Sequence, residues 1–126
     1  MPDLTHLILY VDDDPDYRLA MRQLFEANGL RMIEAEDGEA GLRAFREHHP
    51  NLVIVDLMME EIDSGVNFLR EIRGTASKVP VYLMSSVGDS LALTTNAAEL
   101  GFSGVFQKPF ANDRLLAVIR SQLHER

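Results

Sequence analysis

Leu52-Val53-Ile54-Val55-Asp56 is a short apolar run that ends in a single carboxylate. Its length and β-branched content fit a strand buried on both faces, the kind found in parallel sheets. A second run of the same kind, Leu7-Ile8-Leu9-Tyr10-Val11, ends in Asp12-Asp13-Asp14-Pro15. A third, Val81-Tyr82-Leu83-Met84, opens after Pro80 and ends at Ser85-Ser86. A fourth, Gly104-Val105-Phe106-Gln107, is followed by Lys108-Pro109-Phe110. Arg31-Met32-Ile33-Glu34-Ala35 is a weaker strand between the first and the third of the chain.

Helical patterns fill the gaps. Asp14 is a natural N-cap and Pro15 a natural first helical residue. Tyr17, Ala20, Met21, Leu24 and Phe25 then fall on one helical face, and Asn28-Gly29 ends the helix. Asp37-Gly38 opens a helix that turns Leu42 and Phe45 inward and stops before Pro50. A helix from Gly65 to Arg73 buries Val66, Leu69 and Ile72. Asp89 caps a helix that runs to Leu100 and stops at Gly101. The last helix carries Leu115, Val118, Ile119 and either Gln122 or Leu123 at helical spacing.

Strand and helix thus alternate five times, which predicts an α/β fold with a parallel sheet and helices on both faces. Right-handed crossovers bring every strand's carboxyl end to one edge, where such sheets bind ligands. The polar groups delivered there are Asp12, Asp13, Asp56, Ser85 and Lys108. Carboxylates held close together repel, and a hard divalent cation relieves the repulsion. Mg²⁺ suits this setting, because it takes oxygen ligands at ~2.0–2.1 Å, often one or two protein carboxylates plus phosphate oxygens. Asp56 is then placed as a carboxylate nucleophile toward phosphorus, with the ion and Lys108 stabilising the transferring group.

The totals narrow the alternatives. A chain of 126 residues, 46% hydrophobic and 25% charged, fits one globular domain. It contains no cysteine, which excludes disulfides and thiolate chemistry. No apolar run approaches the roughly 18 residues of a membrane span, and the first residues do not form a signal peptide. A cytoplasmic location is the expectation. The net charge of −8 disfavours direct nucleic-acid binding. Asp12, Asp14 and Asp16 imitate the start of an EF-hand loop, but Tyr17 stands where that loop needs Gly and Gln23 where it needs Glu. An aspartate-based phosphatase fits Pro15 and Asp16 poorly. The four histidines lack metal-ligand spacing, and there is no Gly-rich phosphate loop.

Four motifs, in order and each after its own strand, resemble the receiver domains of two-component response regulators. They are Val11-Asp12-Asp13-Asp14-Pro15, Asn51-Leu52-Val53-Ile54-Val55-Asp56, Pro80-Val81-Tyr82-Leu83-Met84-Ser85 and Lys108-Pro109-Phe110. The resemblance covers Leu7 to Leu123 and makes residues 1–126 a single receiver domain. It implies the flavodoxin-like (βα)5 doubly wound fold with strand order 2-1-3-4-5. It implies that Asp56 is the phosphoacceptor, with Ser85 and Lys108 assisting. It assigns Mg²⁺ to Asp12, Asp13, Asp56 and the backbone carbonyl of Met58. Three carboxylates on adjacent strand ends lead to the further expectation that Asp13 and Asp56 bind directly and Asp12 mainly through water. The expected partners are a sensor histidine kinase or phosphotransfer protein and a downstream target. A homodimer would use the face of the Asp89–Leu100 helix, the fifth strand and the last helix. The chain is expected to be a signalling receiver rather than an enzyme, catalysing only its own phosphorylation and dephosphorylation. It ends with its last helix, so no output domain is expected.

Two other classes remain as alternatives. A non-phosphorylated interaction module is disfavoured by the complete set of acids, Ser85 and Lys108. A small Mg²⁺-dependent hydrolase is disfavoured by the absence of any insert that would build a substrate pocket. Several positions depart from the family pattern. Glu60 follows Met59 where the family usually has Pro, and Gly65 comes one residue late. Ser86 replaces Ala or Gly, and Phe102 replaces Ala. Val105 stands where Tyr or Phe usually reports the phosphate to the far surface. The Lys108-Pro109 bond is expected to be cis, because X-Pro tolerates cis at a cost of only ~0.5–1 kcal/mol.

Overall fold

A computed structural model of the chain describes residues 6–56, 63–75, 78–86, 101–108 and 112–124. Five strands form one parallel sheet: β1 (Leu7–Val11), β2 (Arg31–Ala35), β3 (Leu52–Asp56), β4 (Val81–Ser86) and β5 (Gly104–Lys108). Their order is β2-β1-β3-β4-β5, as the resemblance implies. The helices are α1 (Pro15–Glu26), α2 (Gly38–His48), α3 (Asp63–Gly74) and α4 (Asn112–His124). The expected helix from Asp89 to Leu100 lies outside the described residues, as do Met58 and the Lys108-Pro109 bond.

Each sheet face packs its own layer. Because side chains alternate along a strand, Leu9, Val11, Val53, Val55 and Leu83 meet Phe45 of α2 and Phe68, Leu69 and Ile72 of α3. Ile8, Tyr10, Leu52, Ile54 and Met84 face the other way, onto Met21 and Phe25 of α1 and Leu115, Ile119 and Leu123 of α4. Full burial of each such side chain contributes about 1.5–3 kcal/mol.

Local signals set the helix ends. The Asp14 carboxylate accepts from the Asp16 amide at 2.9 Å, with Pro15 as first helical residue. The Asp37 carboxylate accepts from the Ala40 amide at 2.8 Å. Gly29 takes φ +79° just beyond α1, where a side chain would be strained. Some expectations are corrected. Ala20 is exposed, since α1 buries only the narrow stripe of Met21 and Phe25 and its flank is occupied by Arg18 and Arg22. In α4 it is Leu123, not Gln122, that is buried, together with Leu116. Helix α3 starts at Asp63, two residues earlier than expected, and buries Phe68 as well; Val66 is outside the described side chains. Strand β4 continues through Ser86 and β5 through Lys108.

Asn51 fixes the register on which the edge depends. Its amide donates to the Leu7 carbonyl, and its side-chain Oδ1 accepts from the Leu7 amide, both at 2.8 Å. With β1 and β3 clamped at that end, Val11 pairs with Val55. The next residues along the two strands, Asp12 and Asp56, emerge side by side.

Candidate functional site

Asp12, Asp13 and Asp56 each offer a carboxylate oxygen within 4.8 Å of the others. Asp12 is fully buried and Asp56 is 3% exposed, while Asp13 faces solvent. Strand β5 brings Lys108 to the same place. Its Nζ donates to Asp12 Oδ2 and to Asp56 Oδ2, each at 3.1 Å. The same ammonium sits 4.0 Å above the centroid of the Tyr17 ring on α1, within cation–π range. Ser85 ends up in β4 one residue past Met84, the register partner of Asp56. Its side chain, like the whole of Met58, is outside what is described.

Two neighbours were not foreseen as part of this cluster. The Tyr10 hydroxyl, buried in the core under β1, donates to Asp12 Oδ2 at 2.5 Å. Tyr10 and Asp12 are two apart on an extended chain, so they share a face; that spacing was the available signal. Arg18 Nη1 donates to the Asp12 backbone carbonyl at 2.8 Å, and its Nε to Glu34 Oε2 at 3.1 Å. Sequence spacing carries no signal for that contact.

The electrostatics follow from burial and charge. Burial pushes the Asp12 carboxyl up, but the Tyr10 hydroxyl, the Asp14 amide, Asp56 and Lys108 together hold it below its ordinary value. Burial lowers the Lys108 ammonium, yet the charges of Asp56 and Asp12 outweigh this and raise it. The Tyr10 phenol is raised far above its usual value, first by burial and then by its bond to Asp12. One ammonium still faces three carboxylates, so the cluster keeps an excess of negative charge. Hard oxygen donors with surplus charge and one exposed member fit a Mg²⁺ ion.

Comparison with known proteins gives the family. The response regulator receiver domain family matches residues 8–120. This chain belongs to that family. It is the receiver domain of a two-component response regulator, a signalling fold rather than a conventional enzyme. It is 31% identical over 122 residues to the chemotaxis protein CheY of Bacillus subtilis, covering 96% of this chain and all of that one. It is 36% identical over 123 residues to the transcriptional regulatory protein CseB of Streptomyces coelicolor, covering 98% of this chain and 51% of that one. The receiver thus spans a whole chemotaxis relative but about half the length of the transcriptional regulators it matches. A crystal structure of a response regulator receiver domain from Clostridium thermocellum superposes with a TM-score of 0.86 at 27% identity, covering 95% of each chain. No helix among the described residues is long and apolar enough to cross a membrane.

Proposed function

We propose that this receiver accepts a phosphoryl group on Asp56 from a phosphohistidine of a sensor histidine kinase or phosphotransfer protein, in a Mg²⁺-dependent reaction, and signals by changing conformation. The observation that carries the reading is the Lys108 ammonium, held 3.1 Å from the carboxylates of both Asp12 and Asp56. An Asp56 oxygen attacks phosphorus and an O–P bond forms. The P–N bond breaks, its electron pair goes to the imidazole nitrogen of the donor, and that nitrogen takes a proton from solvent water. Asp56 is already ionised as a nucleophile, so the step needs no general base. Lys108 stays beside the new acyl phosphate and stabilises its charge. Ser85 is the residue assigned to hydrogen-bond a phosphate oxygen.

Asp13 and Asp56 would hold Mg²⁺ directly, with the Met58 carbonyl as a further ligand. Asp12 would act through water, since its oxygens already accept from Tyr10, Lys108 and the Asp14 amide. When bound, the ion supplies positive charge to the oxygens of the transferring group. The only reactions proposed for the site are its own phosphorylation and dephosphorylation. The setting proposed is the cytoplasm. Output would pass to a protein target, or to a second copy through the face of the Asp89–Leu100 helix, β5 and α4.

The test is incubation with acetyl phosphate and Mg²⁺ followed by intact mass. The wild-type chain should gain one phosphoryl mass and Asp56→Asn none. Phosphate mass on Asp56→Asn would mean another acceptor and would sink the assignment.

A further inference from the structure

Asp12 is held from three directions, and one of them is unexpected in a strand core. The Asp14 amide donates to Oδ1 at 2.9 Å. Lys108 Nζ and the Tyr10 hydroxyl both donate to Oδ2. A carboxylate offers about four acceptor positions, two on each oxygen. Tyr10 and Lys108 therefore fill Oδ2 between them. Tyr10 is 0% exposed and packed in the same core layer as Met21 and Phe25, so its hydroxyl is a fixed donor.

A buried phenol needs some acceptor, and satisfying that need is the plain reading. The choice of oxygen says more. Lys108 lies at the same 3.1 Å from Asp12 and from Asp56. Without the phenol, Asp12 Oδ2 would keep one empty acceptor position in a dry surrounding, and its pull on the ammonium would rise. The ammonium would then move toward Asp12 and away from the acceptor.

We propose that Tyr10 is a positioning residue of the acceptor site: its hydroxyl occupies Asp12 Oδ2 from inside the core and so leaves Lys108 shared with Asp56. The inference rests on Asp56 being the phosphoacceptor and deepens that reading. Tyr10 touches no reacting atom and moves no proton in the transfer. It acts through Asp12 on Lys108.

Tyr10→Phe removes one oxygen and leaves the ring packed, and its amide NMR spectrum verifies the fold. Phosphorylation of the full chain by acetyl phosphate is timed across a Mg²⁺ series. At saturating Mg²⁺ the variant's rate should fall about tenfold, the size expected for losing one hydrogen bond to a charged group. The Mg²⁺ midpoint should stay in place. The Lys108 side-chain signals (¹³Cε and ¹⁵Nζ) should shift in the variant before any Mg²⁺ or phosphate is added. An unchanged rate at saturating Mg²⁺ overturns the proposal, whatever the Lys108 signals do. So does a rate defect cured entirely by more Mg²⁺, which would make Tyr10 a support of the metal site. So do unmoved Lys108 signals. Wild-type protein that gains no phosphate defeats the Asp56 reading instead, and the Lys108 signals still report the sharing.

Discussion

Lys108 supplies the positive charge that allows Asp12 and Asp56 to stay buried together. Removing one partner of a buried ion pair leaves an uncompensated charge and costs about 3–5 kcal/mol. Lys108→Met should fall near the low end, about 3 kcal/mol, because Asp12 keeps the Tyr10 hydroxyl and the Asp14 amide. Urea unfolding at neutral pH measures this; a loss within error of zero would show that the pair contributes nothing. The pH dependence has a definite sign. The Lys108 ammonium is raised in the folded chain, so its stabilisation is complete below its ordinary value of 10.5. It fades as pH climbs through the raised folded value, and the gap between wild type and Lys108→Met should narrow there. Asp12, Asp13, Asp56 and Lys108 were legible in the sequence because each stands within two residues of the end of a short apolar run. Tyr10 was not, because a phenol inside such a run reads as core. Its role depends on which neighbour its hydroxyl meets.

At the scale of elements, α2, α3 and β1 approach one another closely at Gly41, behind the site. Gly41 sits in the interior of α2 and is buried. A Cβ there would lie 2.8 Å from Phe68 Cε1 and 3.0 Å from Val11 Cγ2. Val11 is the residue that leads into Asp12, so overpacking at Gly41 strains the strand end that presents the acids. Alanine would gain roughly 0.8–1 kcal/mol of helix propensity over glycine, but overpacking a filled core costs about 1–3 kcal/mol. Gly41→Ala should therefore destabilise by about 1 kcal/mol, measured by thermal or urea unfolding. Gly38→Ala, at an open position of the same helix, is the control and should be neutral or stabilising. A stabilised Gly41→Ala would show that Phe68 and Val11 give way freely. The strands were readable from their apolar runs, and α1 and α2 from Asp14-Pro15 and Asp37. Gly41 was not, since a mid-helix glycine gives no hint of what lies against it. Nor was the exposure of Ala20, which follows from how α1 is rolled on the sheet so that Arg18 and Arg22 reach Glu34.

On the proposed function the molecule carries a change at Asp56 to a distant surface, and Val105 stands where the resemblance leads one to expect an aromatic. Phosphorylation replaces the single negative charge of the Asp56 carboxylate with the roughly −1.5 to −2 charge of a phosphoryl group at neutral pH. Strand β5 links the site to the rest, since it ends in Lys108. Its two central residues face opposite layers: Val105 packs with the Phe102 side, and Phe106 stacks on Tyr82 with ring centroids 5.1 Å apart. Phe106 therefore points away from Val105 and cannot replace the missing aromatic. Phe102 is the nearby ring on the correct side, 4% exposed and in the same cluster as Leu83. A conformational switch moves only as far as the phosphoryl group's differential affinity for the two states allows. A buried ring in the core cluster that includes Val81 and Leu83 of β4, with Val105 of β5 packed against that cluster, is positioned to convert a shift of Lys108 into repacking. We predict that beryllofluoride, a phosphoryl mimic, moves amide NMR signals well beyond Asp56, including those from Ala92 to Leu100. Phe102→Ala should confine the shifts to the neighbourhood of Asp56, at a stability cost of about 3–5 kcal/mol for emptying a core phenylalanine. Because that cost is large, Phe102→Leu is run beside it and should retain an intermediate response. Shifts from Ala92 to Leu100 that persist undiminished in both variants would show that the backbone of that segment, and not the ring, transmits the signal.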